Sequence, residues 1–291
     1  MPNYSFLKEA KVYIVYGTTK KQLDISSVSF SQTFTEETRS VKTLHNQNNM
    51  FEGSVINTAN PANFELRTNL LIEDASKIVF DRLTDTNSFD LYISTESDVF
   101  KLEKCVITNG TINIERLRPL SLSISGQASK LIPSSSVPSG MTLRTTSSSR
   151  TYNLNKDLFV SLGGASISDH LVSVSIELQN EVKWIPYKTV NTASGTRYPT
   201  QYTIDKKVLA GNIRRYLNDD TESASQSYGL NQSLRIKAGT NIGGLFKGID
   251  FNSNNCSITQ RIQTGTVFMK NTDWRMVQNP SSISGVLTYF T

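Results

Sequence analysis

The sequence predicts a mainly β protein with two tandem β-rich domains and one helix in each. Short runs of β-branched and aromatic residues occur along the whole 291-residue chain, as in proteins built from short strands. Related runs recur at a fixed spacing in the two halves, and a segment rich in Ser, Thr and Pro lies between them. We therefore assign the first domain to residues 1–131, a linker to 132–151, and the second domain with a C-terminal extension to 152–291.

The repeat is clearest at the start of each half. Residues 11–17 (KVYIVYG) resemble residues 157–163 (DLFVSLG), an offset of 146 positions. The offset drifts through a loop and then returns, so that Ile112 aligns with Ile258. Recovery of one offset after an intervening loop favours duplication of a single domain. Two unrelated β-rich halves with similar strand lengths are the alternative.

The first half begins with two predicted strands and a polar loop. Residues 12–16 alternate along a strand with both faces partly covered, and residues 28–34 carry apolar side chains at even spacings, which is typical of a strand with one buried face. The Asn-rich loop spans residues 43–62 and closes with Asn60-Pro61. Each half therefore begins strand, strand, loop.

A change of period then predicts one helix in each half. In residues 64–83 the apolar side chains recur largely at three- and four-residue steps, and residues 204–217 repeat the pattern. Asn109-Gly110 lies between two alternating runs, which is a strong hairpin signal. In the first half we expect strands after the helix at residues 89–93, 99–107, 111–117 and 120–125.

The chain carries no motif for catalysis or metal binding. Its two histidines, His45 and His170, occupy non-equivalent positions of the repeat, and neither HExxH nor GxSxG occurs. The glycine-rich segment 239–248 lacks the Gly-Lys-Ser/Thr ending of a phosphate loop, so we interpret it as a turn between strands. Cys105 and Cys256 fit two reduced thiols. We expect a protein that is not an enzyme and needs no cofactor or metal.

Charge and aromatic content leave two binding classes to consider. The net charge is +5, but residues 10–131 contain 13 basic and 14 acidic side chains and residues 156–277 contain 14 and 10, without a basic run. Interleaved charges of this kind indicate a solvated surface rather than a nucleic-acid groove. Trp184 and Trp274 could form a stacking platform, so a carbohydrate-binding or adhesive β-sandwich remains an alternative. No run reaches the roughly 20 apolar residues of a membrane span, and we expect no membrane partner.

The arrangement resembles the tail tube proteins of long-tailed phages. The closest segments are residues 50–66 (MFEGSVINTANPANFEL) and 110–126 (GTINIERLRPLSLSISG). The resemblance covers residues 10–131 and 156–277 and implies two tandem tail-tube-like β-sandwich/barrel domains. It implies homotrimeric rings with pseudo-sixfold symmetry that stack around a channel, with DNA and a tape-measure protein in the lumen. It further implies assembly in the host cytoplasm and a place in the virion tail. The main tube and a ring of the baseplate or tail tip are both consistent with it.

The polar loops are the candidate ring-to-ring contacts. Loops 43–62 and 188–200 differ in length while the surrounding framework keeps its register, and partner contacts concentrate in such loops. Aromatic, Met and Arg side chains are enriched in interface cores. We therefore predict contact residues Met50, Phe51, Arg197 and Tyr198.

Overall fold

The protein is mainly β, as predicted. The structure, a computed structural model, describes residues 10–40, 52–70, 74–143, 155–185, 198–217, 227–277 and 285–291. Within these ranges nearly all elements are antiparallel strands, and one is an α-helix. No helix among the described residues has the length and apolar character needed to cross a membrane.

The elements follow the chain in two similar series. The described residues of the first half form β1 Lys11–Tyr16, β2 Thr19–Leu23, β3 Ser27–Ser31, β4 Phe34–Ser40, β5 Glu52–Ala59, β6 Ala62–Asn69, α1 Asp74–Asp85, β7 Phe89–Ser94, β8 Val99–Glu115, β9 Ser121–Ala128 and β10 Lys130–Ser134. Those of the second half form β11 Asp157–Leu162, β12 Ala165–Ser166, β13 Leu171–Ile185, β14 Gln201–Tyr216, β15 Ser227–Ile242, β16 Leu245–Gln263, β17 Met269–Met276 and β18 Leu287–Phe290.

The strand pairings of the first half recur in the same order in the second. Strand β1 pairs with β2 and β7, and β7 pairs with β8, just as β11 pairs with β12 and β15, and β15 with β16. Beyond these, β8, β9, β6 and β3 lie side by side, as do β16, β17, β14 and β13. Strands β4 and β5 form a separate two-stranded ribbon, whereas β13 and β14 extend as one long pair.

The two rows join into one through β8 and β13. Seven residue pairs connect these strands, from Ser173 opposite Glu115 to Gln179 opposite Asn109. The row that results runs β3-β6-β9-β8-β13-β14-β17-β16, and we call it the eight-stranded wall. Its strands alternate, as β9 does strictly, between buried and partly exposed side chains, which gives the wall one core face and one opposite face.

Helix α1 packs on the core beside the wall. Its side chains Val79, Phe80 and Leu83 are buried, and the ring of Phe80 lies 5.5 Å from that of Tyr289 in β18. A β-carbon on Gly110 would lie 2.2 Å from Cδ1 of Leu83. The helix therefore bridges the two halves and requires a glycine beneath it in β8.

The prediction of one helix per repeat is wrong for the second half. Residues 201–216 form strand β14, which is paired on both sides by β13 and β17. Leu209 and Ile213 face the core, and Gly211 between them leaves room for the ring of Trp274. Because this glycine hides one step of the two-residue period, the apolar residues of the strand show a four-residue spacing typical of a helix.

Three predictions for the first half also need correction. Residues 52–59 of the predicted loop 43–62 form strand β5, and residue 62 begins β6. The predicted helix over residues 64–83 divides into strand β6 and helix α1. The predicted hairpin at Asn109-Gly110 is wrong, because both residues lie inside the continuous strand β8. In contrast, the predicted turn within residues 239–248 is confirmed: Gly243 and Gly244, both with positive φ, join β15 to β16.

The chain after β9 stays on the first half for some distance. Strand β10 pairs with β8, and Thr142 exchanges backbone hydrogen bonds with β2, from its own amide to Lys20 and from the Gln22 amide to its carbonyl. The first part of the predicted linker thus contacts the first half, and the assigned domain boundaries stay a prediction. Cys105 and Cys256 are buried and unbridged, as expected.

Candidate assembly surface

The eight-stranded wall presents a polar face opposite its core face. In the first half, one row of directly opposed residues crosses strands β3, β6, β9 and β8. Its members are Ser27, Arg67, Ser123 and Thr111, respectively. The register continues into the second half, where Thr111 lies opposite Glu177. Serine, threonine, asparagine and glutamine supply most of the remaining side chains of this face. Such a face can meet water or a polar ligand without burying unpaired groups.

The polar face has no net charge, although the chain is basic. It carries four carboxylates and four guanidinium groups: Glu65, Glu115, Glu177, Asp273, Arg67, Arg214, Arg261 and Arg275. These counts cover the part of the wall where β13 also pairs with β8 and β14 also pairs with β17; its other two charged residues, Arg215 and Lys270, are buried on the core face. The extension of β13 and β14 beyond it carries Glu181, Lys183, Asp205, Lys206 and Lys207. The excess positive charge of the chain therefore lies elsewhere than on this face.

Asp273 links three strands of the wall in the second half. Its carboxylate accepts a 2.6 Å hydrogen bond from Nδ2 of Asn212 in β14, and it forms an ion pair with the guanidinium group of Arg261 in β16. Partial burial favours the neutral acid, but the hydrogen bonds from Arg261 and Asn212 outweigh it and hold the pKa of Asp273 below its usual value. The carboxylate is therefore a charged cross-strand tie at neutral pH.

The predicted contact residues lie mostly outside the described residues. This applies to Met50, Phe51 and Arg197. Tyr198 is described and is half-buried. The two residues after it are held on the first half, since the Pro199 carbonyl accepts a hydrogen bond from Oγ of Ser129 and the Thr200 carbonyl accepts one from Nζ of Lys104 at 3.2 Å. The end of loop 188–200 is thus anchored across the two halves.

The turns at one rim of the wall expose apolar side chains that the sequence reasoning missed. Leu117 follows β8, and Val267 and Phe268 precede β17; they are 68%, 52% and 54% exposed, respectively. These turns connect equivalent strands of the two halves, so the three side chains lie at the same end of the wall. We call them the apolar rim. Apolar residues within polar turns are the only sequence signal that could have identified them.

The two tryptophans do not form a shared platform. Trp274 is buried and stacks on Phe251 with ring centroids 4.6 Å apart. Trp184 packs on Tyr202, and its indole N–H donates a 3.0 Å hydrogen bond to Oε1 of Gln127. A buried indole cannot stack on a sugar, so this geometry argues against the carbohydrate-binding alternative.

In the described part of the chain, no three His, Cys, Asp or Glu side chains come together as metal ligands would.

Comparison with known proteins identifies the family. No curated protein matches the chain. A family model described as the Bacteriophage Baseplate Tube Protein Family matches residues 2–289, and the predicted resemblance to phage tail tube proteins is thereby confirmed. This is a family of phage structural proteins. The chain belongs to the Bacteriophage Baseplate Tube Protein Family and is a structural component of the phage tail.

Proposed function

We propose that the protein forms homotrimeric rings with pseudo-sixfold symmetry, which stack around a channel in the baseplate part of the tail. The chain would then be a duplicated tube domain, and each ring would contain six such domains. The family match favours the baseplate or tail-tip segment over the main tube. Assembly in the host cytoplasm belongs to the same proposal.

The observation that carries the proposal is the pairing of β8 with β13. It joins the two halves side by side through seven residue pairs, in a chain whose strand order repeats. If β16 of one subunit paired with β3 of the next in the same way, the eight-stranded walls of three subunits would close on themselves. Closure removes the two free edges, which otherwise promote uncontrolled strand pairing.

The polar face suits the inner wall of such a channel. Tight binding of DNA depends on neutralising phosphates with basic side chains. A face with equal numbers of carboxylates and guanidinium groups offers little net attraction, so DNA or an extended tape-measure protein could pass without being held. The core face packs against the remaining strands of each domain and against α1.

Ring stacking would use the two ends of the wall. We assign one side of the contact to the residues that connect β4 to β5 and to loop 188–200, with Met50, Phe51, Arg197 and Tyr198 as the anchoring side chains. The apolar rim at the opposite end offers exposed side chains that the loops of the next ring could cover.

Electron microscopy of the purified protein, with analytical ultracentrifugation across a range of concentrations, tests the proposal. We expect trimeric rings with six similar lobes and short stacks at high concentration. A species that stays monomeric at every concentration contradicts ring formation. Rings with a number of subunits other than three contradict the pseudo-sixfold arrangement.

A further inference from the structure

We propose that residues 227–230, at the start of β15, are a removable cover over the edge of β16 that pairs with the next subunit. This inference rests on the ring proposed above and adds a step to its assembly. The free subunit would protect its own edge with this short segment, which we call the edge cover. The segment would leave when β3 of a second copy of the chain arrives.

The repeat defines which edge is covered. The second part of β8 has β9 on one side and β13 of the other half on the other. The second part of β16 has β17 on the corresponding side. The other side of β16 corresponds to the side of β8 that pairs with β13. There, β16 pairs through Gln260, Thr259 and Ile258 with the edge-cover residues Ser227, Tyr228 and Gly229, respectively. The edge cover therefore occupies the position that the repeat reserves for a neighbouring domain.

The edge cover is held by few interactions. It makes three consecutive residue pairs, and the register of β15 shifts on both sides of Gln232 before regular pairing resumes at Leu234. Tyr228 is 83% exposed and Leu230 is 62% exposed, so neither gains much from apolar burial. Asn231 has a φ of 54°, the left-handed conformation, where the chain turns into β15 proper.

A neighbouring β3 could replace these contacts with more extensive ones. The corresponding junction within the chain contains seven pairs, and β3 has five residues to offer, against three paired residues in the edge cover. Strand β3 pairs with β6, and its other edge has no strand partner in the described residues. A weak intramolecular pairing that competes with a stronger intermolecular one raises the concentration at which the subunits assemble. It also keeps isolated subunits from joining edge to edge at random.

A disulfide that ties the edge cover down tests the inference. Tyr228 and Thr259 are directly opposite and exposed, and opposed residues of an antiparallel pair lie within the Cα separation of a disulfide. In the full-length protein we would make Tyr228→Cys/Thr259→Cys and compare its oxidised and reduced forms by ultracentrifugation and microscopy. The matched control is Ile242→Cys/Leu245→Cys, which links the same two strands across the exposed hairpin tip away from the edge. Burial raises the pKa of both native thiols and keeps them out of exchange.

We expect the oxidised edge-cover variant to lose ring formation, and reduction to restore it. The control should form rings in both states. Rings from the fully oxidised edge-cover variant, as abundant as those of its reduced form, overturn the inference and leave the proposed function intact. If neither the wild-type protein nor the reduced variants form rings, the proposed function fails, and the inference falls with it.

Discussion

Leu83 of α1 lies directly on Gly110 of β8, and the glycine is what allows the helix to pack there. A β-carbon at this position would lie 2.2 Å from Cδ1 of Leu83, far inside the normal contact distance. Both residues belong to the buried core that joins the helix to the wall. The Asn-Gly pair that indicates a hairpin in the sequence thus serves a close helix–strand contact.

The contact predicts a specific loss of stability for Gly110→Ala. Overpacking a tight core costs about 1–3 kcal/mol, because side chains must leave their preferred rotamers. We expect the free energy of unfolding, measured by urea denaturation, to fall by this amount. Gly265→Ala is the matched control, since its β-carbon would come no closer than 3.5 Å to a neighbouring atom. In a protein that already carries Leu83→Ala, the substitution Gly110→Ala should cost less stability. Strictly additive effects of the two substitutions in the double variant would contradict direct contact.

The sequence predicted β9, where the two-residue period is complete; it failed in β14, where a glycine interrupts that period, and in β6, whose alternation was merged with the pattern of the following helix. The buried alternation of β9 needs no tertiary information to recognise. In β14, by contrast, Gly211 occupies an inward position against Trp274, and the remaining apolar residues imitate a helix. The polar face could not be predicted as a unit, because it depends on the register between strands far apart in the chain. The β8–β13 junction was unpredictable for the same reason.

The tie made by Asp273 predicts an acid-sensitive contribution to stability. Its pKa is lower in the folded protein than in the unfolded chain, so its contribution is present above the unfolded pKa of about 3.9 and is lost as pH falls through the folded pKa. We expect Asp273→Asn to be less stable than the wild type at pH 7 and the difference to shrink at acid pH. Urea denaturation at a series of pH values measures this. A difference independent of pH would contradict the charged tie.

The polar loops are expected to determine stacking rather than folding. Replacing residues 47–53 with a Gly/Ser linker of equal length should leave the domains folded but abolish the stacking of rings, because the proposed contact residues Met50 and Phe51 are removed. Circular dichroism checks the fold, and electron microscopy counts stacked rings. The same replacement at residues 144–150, which are already rich in Ser and Thr, is the control. Normal stacks from the first variant would exclude these residues as ring-to-ring contacts.

If the neutral polar face lines the proposed channel, assembled tubes should bind DNA weakly despite the positive charge of the chain. We expect assembled tubes to bind double-stranded DNA weakly or not at all at about 150 mM salt, in a filter-binding titration. Glu65→Gln/Glu177→Gln removes two carboxylates from the polar face and should tighten binding and steepen its salt dependence. Glu96→Gln/Asp98→Asn makes the same change of net charge at exposed positions in the turn between β7 and β8, away from the wall. Because binding follows the local charge of the surface that meets the phosphates, this control should bind as weakly as the wild type.

Equal tightening of DNA binding by both variants would mean that DNA senses only the net charge and does not enter the channel. Tight binding by the wild-type tubes themselves, with a steep salt dependence, would contradict a passive conduit and favour a nucleic-acid-binding role.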